Sequence, residues 1–231
     1  MSSQTPTLMS MRRVCVAAAH PDDEVLGCGG TIARLRAQGA EVSVLFMTDG
    51  VGARKGLSDS AARKAMSTKA AIELGGLNLV HGPFADNAMD EVPLLEVVQH
   101  IEMHFALLEP DAVITHHGAD LNIDHEITYR AVMTACRPLA GKTVHTIVSM
   151  EVPSATDWSA SPVALRFAPQ IFVDVSGYVN EKRAALTAYQ DELRAHPHPR
   201  SMRGMEALMT LRGSQAGLDQ AEAFELIRAL R

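Results

Sequence analysis

Short apolar runs of strand length alternate with longer stretches of helical spacing through most of the chain. Runs at Arg13 to Ala19, Glu41 to Met47, Leu77 to His81, Asp111 to Thr115 and Val144 to Met150 predict strands, and the segments 22–37, 59–74, 92–108 and 125–136 predict helices. Alternation of this kind builds βαβ units. The expected fold is therefore α/β, a Rossmann-like, open, mostly parallel sheet with helices on both faces. Residues 151–170, punctuated by Pro153, Pro162 and Pro169, read as irregular chain walling a pocket. A strand over Ile171 to Val175 and helices near 177–195, 202–212 and 219–230 complete the pattern. The expectation is a single domain over 1–231, with 1–11 flexible and 151–231 shaping the pocket.

Two polar clusters break this pattern, each directly after a predicted strand. His20-Pro21-Asp22-Asp23-Glu24 places an imidazole and three carboxylates in five residues at a strand-to-helix turn. Pro21 suits a first helical position, and acids in a first turn are favoured by the helix dipole, so local structure alone explains part of the cluster. It does not explain a histidine at the N-cap or the repulsion of two adjacent aspartates, which a divalent cation would offset. His20 and Asp23, three apart, can face one ion while Asp22 stays free for proton transfer. The second cluster, Thr115 to His125, contains His116, His117, Asp120, Asn122, Asp124 and His125. In an open parallel sheet both clusters leave carboxyl ends of strands and line one crevice.

Composition narrows the classes. The 231 residues are 47% hydrophobic, enough for one buried core, and the formal net charge of −6 provides no basic face for nucleic acid. Met1 to Met11 lacks the layout of a signal peptide, and no apolar run approaches the ~20 residues of a membrane span. The expected location is the cytoplasm, with self-association left open. Cys15, Cys28 and Cys136, an odd count in apolar settings, read as buried thiols rather than nucleophiles.

The pentapeptide together with Asn122-Ile123-Asp124-His125 resembles the zinc-dependent N-deacetylases of the LmbE-like, PIG-L-type family, whose motifs are Pro/Ala-His-Pro-Asp-Asp-Glu and His-x-Asp-His. The likeness runs through Thr48-Asp49-Gly50, Glu73-Leu74-Gly75 and Phe84-Ala85-Asp86-Asn87, so it covers roughly residues 12–136. It implies zinc on His20, Asp23 and His125, Asp22 as general base, and an N-acetylated amino sugar or conjugate, GlcNAc-type or nucleotide-linked, as substrate. Iron, cobalt or nickel would also suit two imidazoles and a carboxylate. One departure stands out: where many members carry a histidine that polarises the scissile carbonyl, this chain has Asn122. Its amide can donate a hydrogen bond to an oxyanion, and His116 or His117 are the other candidates. The stretch Asp120 to His125 also resembles a bacterial branch associated with surface-glycan and nucleotide-sugar pathways.

The remaining candidates are substrate contacts: Asp49 and Asp86 after strands, Arg63 beside the Gly-rich segment Gly50 to Gly56 with Arg54, and His116 and Asp120 in the second cluster. His196-Pro197-His198-Pro199-Arg200 reads first as a proline-punctuated connection; as a ligand contact it would present His198, Arg200 and Arg212 to an anion. Asp124 either orients a histidine or caps the following helix. Two rivals are carried alongside. Gly27, Gly29 and Gly30 hint at dinucleotide binding, but their spacing is wrong and the acids at 22–24 would repel a pyrophosphate, so helix packing suits them better. A non-catalytic sugar or nucleotide-sugar binding protein on the same scaffold is the second, motivated by Asn122.

Overall fold

The computed structural model describes residues 8–51, 59–141, 144–160, 162 and 165–230. Arg54 and most of the segment Gly50 to Gly56 lie outside them. Strands β1 (Arg13–Ala18), β2 (Glu41–Thr48), β3 (Asn78–Phe84), β4 (Ala112–His116), β5 (Thr146–Met150), β6 (Ile171–Asp174) and β7 (Ala221–Ala229) form one sheet in the order β3-β2-β1-β4-β5-β7-β6. The first five pair in parallel, and β7 runs antiparallel to both β5 and β6. Helices are α1 (Asp23–Ala37), α2 (Ser60–Glu73), α3 (Leu94–Leu108), α4 (Ile123–Ala135), α5 (Val179–Ala188) and α6 (Met202–Ala216). No described helix is long and apolar enough to cross a membrane.

Strand alternation divides the core into two layers. Val14, Val16 and Ala18 of β1 pack with Ile32 of α1, Leu186 of α5 and Met205 of α6, while Cys15 and Ala17 face Ile101 of α3 and Val132 of α4. This is the expected sheet with helices on both faces. The three cysteines are buried. Strand order reverses direction between β1 and β4, whose carboxyl ends open the crevice typical of a topological switch point. Both polar clusters emerge there.

The C-terminal region corrects the sequence reading. Residues 221–229 form a strand, not the helix expected over 219–230, and the helix expected over 177–195 shortens to α5, followed by a 3-10 turn at Gln190–Glu192. Alanine, glutamate and leucine favour a helix, but tertiary pairing overrides the preference: β7 fills the gap between β5 and β6 and finds specific partners for both glutamates. Helix α1 is kinked at Cys28 (φ −147°, ψ 24°), which frees the backbone amides beyond the kink. Glu222 accepts those of Gly30 at 2.9 Å and Thr31 at 2.7 Å. Lys182, itself buried, donates to Glu222 at 2.6 Å and to the Leu26 carbonyl at 3.0 Å. A Cβ on Gly30 would sit 2.8 Å from Val175 Cβ, so the glycines serve close helix packing.

Glu225 binds the other side of the sheet. Its Oε2 lies 2.8 Å from His117 Nδ1 and accepts Ser149 Oγ at 3.0 Å, and its Oε1 accepts the Ala168 amide at 2.6 Å. His117 Nε2 lies 2.8 Å from the Leu165 carbonyl. Both imidazole nitrogens thus face acceptors, which only the doubly protonated ring satisfies. Burial opposes that charge, but the bonds to Glu225 and Leu165 outweigh it and raise the His117 pKa.

Two measurements test this arrangement. Glu222→Ala leaves Lys182 buried without its carboxylate and is expected to cost about 3–5 kcal/mol in urea unfolding, against less than about 1 kcal/mol for removing Arg183 from its exposed pair with Glu206. A Glu222→Ala loss as small as the surface one would contradict the buried-pair account. Because the folded His117 pKa is raised, its contribution is complete below the unfolded value of ~6.5 and fades as pH rises through the folded one. The melting-temperature gap between wild type and His117→Ala should therefore shrink from acid to alkaline pH. A constant gap would show that packing, not charge, is what His117 supplies.

Candidate metal and catalytic site

The turn after β1 is fixed from both neighbouring strands. Thr48 of β2 donates its backbone amide and hydroxyl to the Ala19 carbonyl, both at 3.0 Å, and the Ala19 amide donates to His116 Nε2 of β4 at 2.8 Å. The N-cap of α1 is Asp22, not His20. Asp22 adopts φ 133° and ψ −28°, unusual for a residue with a side chain, and its carboxylate makes no cap bond. Instead Glu24 Oε2 accepts the Asp22 amide at 3.0 Å, and Tyr189 donates its hydroxyl to Glu24 Oε1 at 2.8 Å. Burial, only partly countered by Tyr189 and the Asp22 amide, pushes the Glu24 carboxyl up to about 8.

His20, Asp23 and His125 converge in the crevice, with one donor atom of each within 4.8 Å of the others. Asp23 Oδ2 lies 3.2 Å from both His20 Nδ1 and His125 Nε2. The approach of His125 is out of line for a hydrogen bond, and His125 Nε2 and Asp23 Oδ1 are buried without a hydrogen-bond partner. Buried polar atoms left this way are what a shared cation would satisfy. Around them stand further carboxylates. Asp120 Oδ1 lies 3.3 Å from His125 Nδ1, while Asp124 Oδ2 and Asp86 Oδ1 lie 3.1 and 3.2 Å from His20 Nε2. Asp124 is itself held by the amides of Asn87 and Met89, so it faces His20 from a fixed position and does not cap α4.

The electrostatics favour positive charge at this point. Burial opposes protonation of His125 and His20, yet Asp23 and Asp120 lift the first to about 9, and Asp124, Asp23 and Asp86 lift the second well above its ordinary value. Burial would raise Asp23, but His125 and His20 hold it well below the usual carboxylate range. A divalent ion can take the place of these protons. Asp22 differs: burial and the charge of Asp23 raise its pKa, while Arg200 and Arg63 pull it down. Its Oδ2 lies 3.4 Å from Arg200 Nη1 and 3.5 Å from Arg63 Nη2. Arg63 also donates to the Pro21 carbonyl and, at 2.7 Å, to Glu192; Arg200 is braced by Ser154 Oγ at 2.8 Å.

Other candidates fall into different roles. Asn122 caps α4, accepting the amides of Asp124 and His125, and gives one amide hydrogen to Asn87 Oδ1 at 3.1 Å. His116 is fully buried and stacked on His125 with centroids 3.8 Å apart; burial beside His125 drives its pKa down to about 3, so it is a neutral floor to the site and not a substrate contact. His117 is committed to Glu225 and Leu165, which removes it as an oxyanion donor. Asp120 is equally enclosed, between His125, the Asn122 amide and Thr156 Oγ1. His198 packs on Trp158 and accepts the Arg200 amide at 3.0 Å, supporting that arginine, while Arg212 forms a two-pronged pair with Glu151. Asp49 accepts the Val51 amide as part of a turn. Sequence reading missed Tyr189 and Glu192; a tyrosine in a core-facing position, whose hydroxyl needs a partner, was the one available signal for the first.

A family model described as PIG-L: GlcNAc-PI de-N-acetylase matches residues 15–136, which carry both polar clusters. An uncharacterized deacetylase of Escherichia coli (strain K12), YaiS, is 31% identical over 189 residues, 77% of this chain and 90% of that protein. Among solved structures, N,N'-diacetylchitobiose deacetylase from Pyrococcus horikoshii superposes with a TM-score of 0.76 at 20% identity, covering 94% of this chain and 84% of that one. The 4-carboxy-2-hydroxymuconate hydratase GalB from Pseudomonas putida KT2440 superposes with a TM-score of 0.72 at 19% identity, covering 93% and 96%. At such identities the likeness is one of fold, and a deacetylase and a hydratase share it, so the scaffold does not choose the reaction. The sequence matches do choose among families: this chain belongs to the PIG-L family of de-N-acetylases.

Proposed function

We propose that this protein is a zinc-dependent hydrolase that removes the N-acetyl group from an amino sugar or amino-sugar conjugate, with Asp22 as general base. The observation that carries the reading is the convergence of His20, Asp23 and His125 around the unpartnered Asp23 Oδ1 and His125 Nε2, beside a carboxylate that does not cap its helix. Two imidazoles and one carboxylate fit zinc with an open position, and iron, cobalt or nickel share the same donor preference. When bound, such an ion would lower the pKa of a water toward ~7 and polarise the amide carbonyl.

The chain's own residues supply the rest. Asp22 takes a proton from the attacking water and returns it to the leaving amine; its raised pKa brings it nearer neutrality, as a base that must also act as an acid requires. Arg63 and Arg200 keep it ionised enough to accept that proton. Asn122 has a second amide hydrogen beyond the one given to Asn87 and serves as oxyanion donor. Asp86, 3.2 Å from His20 Nε2, holds a sugar hydroxyl in this reading. An amino-sugar substrate agrees with the activity named for the family model and with the disaccharide deacetylase that shares the fold.

The test couples metal content to acetate release from free, glycosidic and nucleotide-linked N-acetylhexosamines. Wild type and Asp22→Asn should both hold near-stoichiometric metal, while turnover falls at least ~100-fold in the variant. Equal rates, or no metal bound after remetallation, would overturn the mechanism. Ligand binding without acetate release would instead support a non-catalytic sugar-binding protein. Asn122→Ala should lose ~1 kcal/mol of stability with its helix cap and ~100-fold in kcat with its donor; a stability loss alone would leave Asn122 as a cap only.

A further inference from the structure

The peptide unit joining Pro21 to Asp22 is held at both ends. Its carbonyl accepts from Arg63 Nη2 and its N–H donates to Glu24 Oε2 at 3.0 Å. Both holders lead to one stretch of chain just past α5. Glu24 is bonded by Tyr189 at 2.8 Å, and Arg63 is bonded by Glu192 at 2.7 Å, with its guanidinium 5.4 Å from the Tyr189 ring centre. An aspartate at an N-cap ordinarily turns its carboxylate back onto the first-turn amides. Here Glu24 reaches the other way, to the N-cap amide, in half of a capping box displaced by one residue, and the Asp22 side chain makes no such bond. The plane of the Pro21–Asp22 peptide determines φ at Asp22, and φ 133° is a value that an aspartate keeps only when its surroundings impose it.

We propose that Glu24 and Tyr189 are a positioning pair: their hydrogen bonds hold the Pro21–Asp22 peptide so that the Asp22 carboxylate is released from capping and aimed into the crevice. The inference rests on the reading of Asp22 as base. Neither side chain needs to touch substrate, since Glu24 is 2% exposed and Tyr189 is 1% exposed. They act through Asp22, and they tie its geometry to a helix far along the sequence.

Three variants test the pair in the metal-loaded protein. Tyr189→Phe removes one hydroxyl and should lower kcat about tenfold with KM within about twofold and metal content unchanged, and Glu24→Ala should lower kcat about 100-fold in the same pattern. Glu24→Gln keeps an acceptor for the Asp22 amide and a donor toward Tyr189, so it should stay within about threefold of wild type. Independently of turnover, the Asp22 amide proton resonance should move upfield in Glu24→Ala and remain near its wild-type position in Glu24→Gln. The proposal is overturned if Tyr189→Phe and Glu24→Ala keep wild-type kcat, if metal content falls together with kcat, or if the Asp22 amide is unmoved in Glu24→Ala. Should Glu24→Ala fail to fold, Tyr189→Phe decides alone. A wild type that releases no acetate would end the deacetylase reading while the amide shift still decides whether the peptide is held.

Discussion

Removal of charge from water at the mouth of a parallel sheet is the constraint to which the rest of this structure answers. Asp22, Asp23, Asp120 and Asp124 are each no more than 3% exposed, and a carboxylate so enclosed must be paired or neutralised. The chain meets the demand in two ways. His20 and His125 face Asp23, Asp120 and Asp124, in an arrangement that leaves Asp23 Oδ1 and His125 Nε2 among the atoms without a hydrogen-bond partner, where a cation would meet them. Asp22 is balanced separately, by arginines that approach without forming a tight pair. The two carboxylates are neighbours in sequence, yet one is held far below its ordinary pKa and the other is raised. Environments that separate titrating groups in this way let one site keep two neighbouring carboxylates at different proton affinities.

The second polypeptide half is recruited to this task from a distance. Glu222 and Glu225, neighbours on β7, send their carboxylates to different places: one closes the kink in α1, the other anchors the chain near Leu165 through His117. Tyr189, Glu192 and Arg200 converge on the turn that begins α1. The sheet supplies the crevice, but the posture of the turn that begins α1 depends on segments beyond the matched span 15–136.

Much of the α/β pattern was legible because β1, β2, β4 and β5 are largely buried on both faces and so appear as mostly apolar runs. The convergence of His20, Asp23 and His125 was legible for the same reason, since both clusters mark strand ends at one switch point. What escaped notice depended on partners remote in sequence. Strand β7 reads as a helix because its alanines and glutamates favour one, and nothing local reveals that Glu222 is buried, Glu225 half-buried, and both are bonded. His116 and His117 looked equivalent in sequence, but alternation at the end of β4 sends one ring against His125 and the other to Glu225. The positive φ of Asp22 has no signature in composition, as the residues that impose it lie at 24, 63 and 189.

The placement of β7 also governs when the molecule can become whole. Strand β6 is an edge whose hydrogen bonds within the sheet go to β7, although β7 is the later of the two to leave the ribosome. Until it arrives, β5 lacks its outer neighbour, β6 has no strand to pair with, and Lys182 and the amides past the Cys28 kink have no carboxylate. The parallel strands and both polar clusters are synthesised well before that moment. The C-terminal third can therefore be completed only after β7 has emerged, and a nascent chain can bring His20, Asp23 and His125 together before it has the braces that set the posture of Asp22.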